Sequence, residues 1–227
     1  MHGILKLRGG TPPFVNGFRS NYLAQFHQTA ALFSSPTGEK AIQSAVIACS
    51  WPGEGTTTVV LGIAKALRDT YGARVLAVEI NSLRPAFAQL FAVPQERSLA
   101  AVVLGKTAPR EAFSEIEPGF SVLPVGSHPA AVRGALPRVL RQVIDAAQEE
   151  FDALLVDAPP LLQSADALAA GKVTPRAVLV VEAARTSTDT LQRVISRLAQ
   201  ENISLVGSVL NKEKPCMPRW LYRRLSP

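Results

Sequence analysis

A short glycine-rich stretch between an apolar run and an amphipathic segment constrains this chain more than any other feature. Residues 50–58 read SWPGEGTTT, after the apolar run 45–49 and before a segment with helical periodicity. Strand, glycine-rich turn and helix in this order are typical of a phosphate-binding loop, because backbone N–H groups and a helix N-terminus then face an anion. The usual pattern is G-x-x-x-x-G-K-[ST]. Here Thr56 stands where that pattern has its lysine, and Thr57 takes the last position.

The composition excludes several classes of protein. A length of 227 residues suits one α/β domain with a substantial core, and 47% apolar residues argue against disorder. No apolar run reaches the roughly 18 residues of a membrane span, and no signal-peptide core begins the chain. We therefore expect a cytoplasmic protein. The net charge of +6 permits an anionic partner, but no alternation of aromatic and basic residues indicates nucleic acid.

Apolar runs alternate with amphipathic segments along the middle of the chain. Strands are predicted at residues 43–50, 74–80, 120–124, 153–157, 177–182 and 205–210. Helices are predicted at 57–70, 136–149 and 187–200, with short ones near 85–91 and 98–104. Because the strand runs are nearly continuous in apolar residues, the sheet should be covered on both faces. The alternation predicts an α/β fold of P-loop NTPase type, with a doubly wound, mostly parallel sheet.

Three regions are predicted. Residues 1–40 form an N-terminal arm with a helix from about 14 to 33, either as a packing arm or as an oligomer contact. Residues 41–211 form the P-loop ATPase-like domain. Residues 212–227 form a tail with five basic residues and one acid. The tail is either a solvated end or a contact with a membrane surface or a partner.

Two predicted strands end on carboxylates, Glu79 and Asp157. The carboxyl ends of parallel strands form the edge at which α/β sheets bind ligands. A hydrophobic run ending in Asp, downstream of a phosphate loop, is the Walker B pattern that holds Mg²⁺. A solvated pair of strand-end carboxylates is the alternative. No Cys/His cluster has metal-ligand spacing, so any metal should be nucleotide-bound Mg²⁺.

Together these stretches resemble the bacterial tyrosine kinase (BY-kinase) family, the cytoplasmic ATPase domains that control exopolysaccharide and capsule polymerisation and export. Residues 52–58 follow the P-G-E-G-K-S-T part of that family's Walker A pattern, S-x-x-P-G-E-G-K-S-T, except at Thr56 and, conservatively, at Thr57. Residues 151–160 follow its Y-D-x-x-I-I-D-x-P-P motif. Residues 205–211 resemble its late strand, whose Asn contacts adenine. The resemblance covers roughly residues 16–212.

The resemblance implies a site for ATP or ADP with Mg²⁺ and a membrane partner. The implied nucleotide-binding residues are Gly53, Glu54, Gly55, Thr56, Thr57, Thr58 and Asn211. Thr57 and Asp157 would hold the metal, and Glu79 and Asp157 would be catalytic. A solvated loop carboxylate is the alternative for Glu54. The implied partner is the cytoplasmic end of a membrane polysaccharide co-polymerase, with recruitment to the inner face of the membrane and a homo-oligomer as a further expectation.

The sequence departs from the family pattern at several motifs that lie far apart in the chain. Thr56 brings no charge, and loss of a charge-assisted bond of about 1.5–3 kcal/mol predicts roughly 10- to 150-fold weaker nucleotide binding. Glu79 and Asn81 replace the two aspartates of the D-x-D-L-R-R-P motif. The N-terminal E-x-x-R-x-x-R assembly motif keeps only Arg19, and Tyr222 stands alone where the family clusters tyrosines that become phosphorylated. We therefore expect a pseudokinase-like regulator with weak or absent catalysis and weak or absent nucleotide binding.

Two other functions fit the same residues. One is an active tyrosine autokinase and ATPase, with the missing cation supplied in trans or by Arg84. The other is a membrane-associated positioning ATPase that binds the membrane through its basic tail.

Overall fold

A seven-stranded sheet organises the part of the chain that the computed structural model describes, residues 26–33 and 42–212. The strand order is β3-β4-β2-β5-β1-β6-β7. The strands are β1 (Gln43–Cys49), β2 (Val75–Glu79), β3 (Ser114–Glu117), β4 (Phe120–Leu123), β5 (Ala153–Asp157), β6 (Arg176–Glu182) and β7 (Ser204–Asn211). Every neighbouring pair is parallel except the antiparallel pair β3–β4. The prediction of a mostly parallel sheet is confirmed.

The helices connect the strands across both faces of the sheet. They are α1 (Thr56–Tyr71), α2 (Phe87–Leu90), α3 (Leu99–Val103), α4 (Pro109–Ala112), α5 (Pro129–Ala147), α6 (Asp166–Gly171) and α7 (Thr188–Gln200). Within the described residues, no helix combines the length and the hydropathy needed to cross a bilayer.

Two hydrophobic clusters, one on each face, account for the continuous apolar strands. Alternate residues of β1 join different clusters. Val46 belongs to the cluster that contains residues of α3, α5 and α7, whereas Ile47 belongs to the cluster that contains residues of α1 and of 26–33. Successive strand residues point to opposite faces, so a strand covered on both sides needs apolar residues throughout.

One predicted boundary was wrong. Helix α5 begins at Pro129, not near residue 136, and it contains Pro137. Proline is favoured at the first position of a helix, where its missing N–H has no intrahelical role. Pro137 removes one internal hydrogen bond, but buried Val132 and Leu136 anchor the turns before it. Helices α4 and α6 and strand β3 were not predicted.

Part of the predicted N-terminal helix is described. Residues 26–30 are helical and lead into a 3-10 turn, Ala31–Phe33. Phe26 packs so closely on α1 that a Cβ at Gly62 would lie 2.4 Å from its ring. Arg176 donates to the Leu32 carbonyl at 2.6 Å. These contacts fit a packing arm, while the division of the chain into three regions stays a prediction.

Candidate functional site

The glycine-rich loop leaves β1 at the carboxyl edge of the sheet and enters α1. Gly53 and Gly55 have φ angles of 86° and 95°, in the left-handed region that glycine adopts readily. Gly55 is the N-cap of α1 and provides no side-chain cap. The first N–H groups of α1 therefore lack the usual side-chain acceptor, as in a helix N-terminus that binds an anion.

The carboxylate of Glu54 holds the loop in shape through three hydrogen bonds. The Glu54 side chain is fully buried. One carboxylate oxygen accepts the N–H groups of Ser50 at 2.7 Å and Trp51 at 3.2 Å, and the other accepts the Thr186 hydroxyl. The alternative of a solvated carboxylate is wrong, because three donors replace water around this charge. Glu54 shapes the loop through these bonds.

Asp157 and Thr57 meet where Walker motifs would hold a metal. The Thr57 hydroxyl donates to Asp157 Oδ2 at 2.7 Å. Asp157 is completely buried, and among the described residues its Oδ1 has no hydrogen-bond partner. Burial raises the pKa of this carboxyl to about 7; the Thr57 hydrogen bond opposes the rise, and the charge of Glu79 adds to it. A buried carboxylate oxygen without a donor fits a divalent cation, which prefers such hard oxygen ligands.

The floor of the loop, formed by Thr56 and Cys49, carries no charge among the described residues. The Thr56 side chain is buried, and its Oγ1 has no hydrogen-bond partner among the described residues. Beneath it lies Cys49, whose thiol pKa burial raises to about 12, against the opposing effect of the Thr56 hydroxyl. Cys49 is therefore an uncharged core thiol. The floor of the loop thus offers hydroxyl and backbone groups to an anion.

Glu79 lies beside Asp157 in the sheet but directs its carboxylate to the backbone. Oε1 accepts the N–H groups of Ala86 at 2.5 Å and Phe87 at 3.0 Å, and Oε2 accepts that of Val125 at 3.3 Å. Burial raises the pKa of Glu79 despite these three donors. With its oxygens so engaged, Glu79 suits a positioning role better than the catalytic role the resemblance implies.

The predicted replacement cation Arg84 lies in the loop after β2. Asn81 accepts the Arg84 backbone N–H at 3.3 Å and so forms a turn there. The Arg84 side chain is exposed.

The side chains of four residues at the ends of β6 and β7 form the rim of the loop; the sequence indicated Asn211, but not Glu182, Arg185 or Lys212. Asn211 Nδ2 donates to the Glu54 carbonyl at 2.7 Å. Lys212 donates to the Gly53 carbonyl, and its ammonium lies 3.2 Å from Glu182. Arg185 pairs with Glu182 at 2.8 Å. The sequence offered one signal for this rim, a lysine directly after Asn211. The predicted domain boundary assigned that residue, Lys212, to the tail.

The fold brings most of the predicted site residues together. The loop residues Gly53 to Thr57, with Asp157 and Asn211, meet at one edge of the sheet, and Thr58 is exposed on the first turn of α1. Arg19 and Tyr222 lie outside the described residues. Within residues 26–33 and 42–212, no group of three or more His, Cys, Asp or Glu side chains has the arrangement of a metal site.

Curated relatives of the chain are bacterial tyrosine kinases, although no protein-family model matches it. Tyrosine-protein kinase YwqD of Bacillus subtilis is 25% identical over 180 residues, covering 78% of this chain and 75% of that protein. Tyrosine-protein kinase etk of Escherichia coli K12 is 26% identical over 162 residues, covering 70% of this chain. The chain spans only 22% of the length of etk.

Solved structures share the fold. The kinase domain of Escherichia coli tyrosine kinase ETK superposes with a TM-score of 0.75 at 20% identity, covering 94% of this chain and 84% of that one. The cobyrinic acid a,c-diamide synthase of Mycobacterium smegmatis, solved with an ATP analogue and magnesium, gives a TM-score of 0.62 at 21% identity, covering 74% of this chain and 72% of that one. The fold is that of P-loop NTPases.

Proposed function

Because the chain is a homologue of the bacterial tyrosine kinases, we propose that it is a nucleotide-binding regulator of exopolysaccharide or capsule synthesis and export, with weak or absent phosphoryl transfer. One observation carries the proposal. The metal-side pair of Thr57 and Asp157 is intact, while Thr56 stands in the lysine position without a charge. The site therefore keeps groups that bind a nucleotide and lacks one that promotes its reaction.

The residues of the loop fit Mg²⁺ with ATP or ADP. The N–H groups of residues 53–57 and the N-terminus of α1 would hold the phosphates. Thr57 and Asp157 would hold Mg²⁺, which, when bound, offsets charge on the phosphate oxygens. Asn211 keeps the loop in place through the Glu54 carbonyl. The Asp157 oxygen that has no hydrogen-bond partner among the described residues is the structural observation that supports this assignment.

The missing lysine charge should affect turnover more than binding. Phosphoryl transfer depends largely on electrostatic stabilisation of charge that develops in the transition state. Removing one preorganised donor from such a site lowers kcat by about 10²- to 10³-fold. The Thr56 hydroxyl cannot replace an ammonium, and Lys65 lies two turns down α1, paired with Asp69 at 2.5 Å.

Restoring the lysine tests the proposal. ATP hydrolysis and tyrosine autophosphorylation are measured for the wild type, Asp157→Ala, Thr56→Lys and Thr56→Lys/Asp157→Ala, with and without the candidate membrane partner. We expect little turnover by the wild type, a gain of about 10²-fold in Thr56→Lys, and its loss when Asp157 is also removed. Robust wild-type turnover that Asp157→Ala abolishes would overturn the proposal.

An active kinase is the second candidate, and the intact hydrogen bond between Thr57 and Asp157 favours it. In that case Thr56→Lys should change kcat by less than about threefold, because another cation already stabilises the charge that develops in the transition state. The same assay therefore separates the two functions.

The proposed partner is the cytoplasmic end of a membrane polysaccharide co-polymerase, which would recruit the chain to the inner face of the membrane. Binding of the purified chain to that segment, compared with binding to protein-free vesicles, tests the docking. Retention by the vesicles alone, dependent on ATP and on residues 213–227, would instead support a positioning ATPase.

A further inference from the structure

Two cationic side chains reach the glycine-rich loop from the opposite wall of the site. The Lys212 ammonium contacts the Gly53 carbonyl. Arg185 lies close to the same residue, since a Cβ at Gly53 would be 3.8 Å from its guanidinium nitrogen. Both side chains also contact Glu182. Positive charge is therefore present at the rim of the loop, although its floor has none.

We propose that Lys212, with Arg185 beside it, supplies the positive charge that the loop lacks at Thr56, and that the oligophosphate chain of a nucleotide binds between the loop and these two side chains. This inference deepens the proposed function and rests on it. It assigns the replacement cation to the rim, not to Arg84 or to a second molecule.

The backbone places Lys212 for this role. Glu182 and Asn211 are paired on β6 and β7, and the Ala183 N–H donates to the Asn211 carbonyl at 2.9 Å. Directly after this pair, Lys212 has a φ of 58°, a left-handed conformation that is unfavourable for residues with a Cβ. The turn brings the side chain back across the loop.

The charges around the loop require a cation when an anion binds. Glu54 and Asp157 are buried carboxylates close to the phosphate-binding backbone, and an approaching oligophosphate would meet like charge there. Glu182 faces two cations, so Arg185 can balance it alone when Lys212 moves to a phosphate. Like charges at short range inside a protein repel strongly. Oligophosphate binding is therefore favoured only if the ligand brings a cation or the site already contains one.

Lys212 is free to make this movement. Its side chain is 45% exposed, and a lysine ammonium sits on a flexible four-carbon stem that can exchange acceptors without backbone change. Its approach differs from that of a P-loop lysine, which lies on the first turn of the helix. Lys212 thus replaces the charge and not the position, which agrees with binding that is retained and turnover that is weak.

Calorimetric titration tests the inference with three probes: Mg·ATP, Mg·ADP and inorganic tripolyphosphate. The variants are Lys212→Met, Arg185→Met and the control Lys172→Met, an exposed lysine that pairs with Glu201 at 3.0 Å outside the loop. We expect Lys212→Met to raise the Kd for all three probes by about 10-fold, Arg185→Met by about 3-fold, and Lys172→Met by less than about 2-fold. Thermal melting confirms that each variant is folded.

A double-mutant cycle completes the test. In the Thr56→Lys background the effect of Lys212→Met should fall to about 2-fold, because the restored lysine makes the rim cation redundant. If the wild type binds nucleotide and Lys212→Met binds equally well, the inference is overturned and the proposed nucleotide site stands. If the wild type binds none of the probes, the nucleotide site itself is overturned, and the inference with it.

Discussion

Glu79 and Asp157 occupy paired positions on the neighbouring parallel strands β2 and β5, yet their carboxylates are used in opposite ways. Glu79 accepts three backbone N–H groups, from Ala86, from Phe87 at the start of α2, and from Val125 after β4. Asp157 accepts one hydroxyl, and its other oxygen has no partner among the described residues. The first carboxylate thus organises the backbone around the site, and the second remains available to a ligand.

Replacing Glu79 should destabilise the fold. In Glu79→Ala the three buried N–H groups lose their acceptor, at a cost of about 1–3 kcal/mol each if nothing compensates, so we expect a loss of about 3 kcal/mol in the free energy of unfolding. Urea denaturation measures it, with Glu115→Ala on the exposed side of β3 as the control. The change is also made in the Thr56→Lys background, where turnover is expected. Unchanged stability combined with loss of that turnover would contradict the positioning role and support a catalytic one.

Gly55 and Asn211 are in close contact, and alanine at Gly55 should disrupt the loop. A Cβ there would lie 2.3 Å from Asn211 Nδ2, so the bond from Asn211 to the Glu54 carbonyl should break. Gly105 is a matched control, because its φ is also left-handed, at 69°, but a Cβ at this position would meet no atom of the described residues within 4 Å. We expect Gly105→Ala to cost about 1 kcal/mol of stability and to leave ADP binding unchanged. Gly55→Ala should cost more and weaken ADP binding at least about 10-fold, and equal behaviour of the two variants would refute this account.

Gly62 permits the contact between Phe26 and α1. Gly62→Ala should displace the Phe26 ring and destabilise the protein by about 1–3 kcal/mol, as overpacking does. Gly134 lies on the exposed surface of α5, and a Cβ there would meet no atom within 4 Å in the part of the chain that the structure describes. Gly134→Ala should therefore stabilise the protein by about 0.5–1 kcal/mol. Thermal unfolding of both variants measures the difference. A neutral Gly62→Ala would mean that residues 26–33 do not hold this position in solution.

The pair of Arg74 and Asp152 should give a pH-dependent contribution to stability. Partial burial raises the pKa of the Asp152 carboxyl, but the Arg74 side chain and backbone N–H outweigh it, and the net pKa is lowered from 3.8. A depressed folded-state pKa stabilises above the ordinary pKa, and this stability is lost as the pH falls through the folded value. Because Asp152 is 51% exposed, Asp152→Asn should cost only about 0.5–1 kcal/mol at pH 7.

Urea denaturation of Asp152→Asn between pH 7 and pH 2 checks this sign. The difference from the wild type should be constant down to about pH 4 and then shrink. Asp145→Asn, on the surface of α5, is the control. A difference that grows as the pH falls would contradict the ion-pair assignment.

The central strands were predictable because burial on both faces demands uninterrupted apolar residues, as in β5. The same signal fails at the edge, where β3 reads SEIE and pairs antiparallel with β4. Short helices such as α6 leave too few residues for a periodicity to be recognised. The predicted start of α5 was wrong because the amphipathic pattern was recognised only from near Pro137 onwards, whereas the helix begins at Pro129.

The glycine-rich loop and the strand that ends on Asp157 could also be predicted, because each is a contiguous motif in the sequence. The rim could not, since Glu182, Arg185 and Lys212 meet the loop only through the pairing of β6 and β7. The direction of the Glu79 carboxylate was equally inaccessible, because its acceptor role depends on backbone groups from two other loops. Glu54 illustrates the same limit: an acid in a glycine-rich turn looks solvated until Thr186 covers it.

The bonds that shape the loop join residues far apart in the chain: 100 positions from Thr57 to Asp157, 132 from Thr186 to Glu54, and 157 from Asn211 to Glu54. Contacts of such long sequence separation form late, because loop closure is costly. During synthesis the loop is made before β6 and β7. The carboxylate and the carbonyl of Glu54 therefore gain the hydrogen bonds from Thr186 and Asn211 only after these strands have formed. Nucleotide binding, as proposed for this loop, would therefore appear only when the last strands have docked, which would make it a sensitive reporter of complete folding.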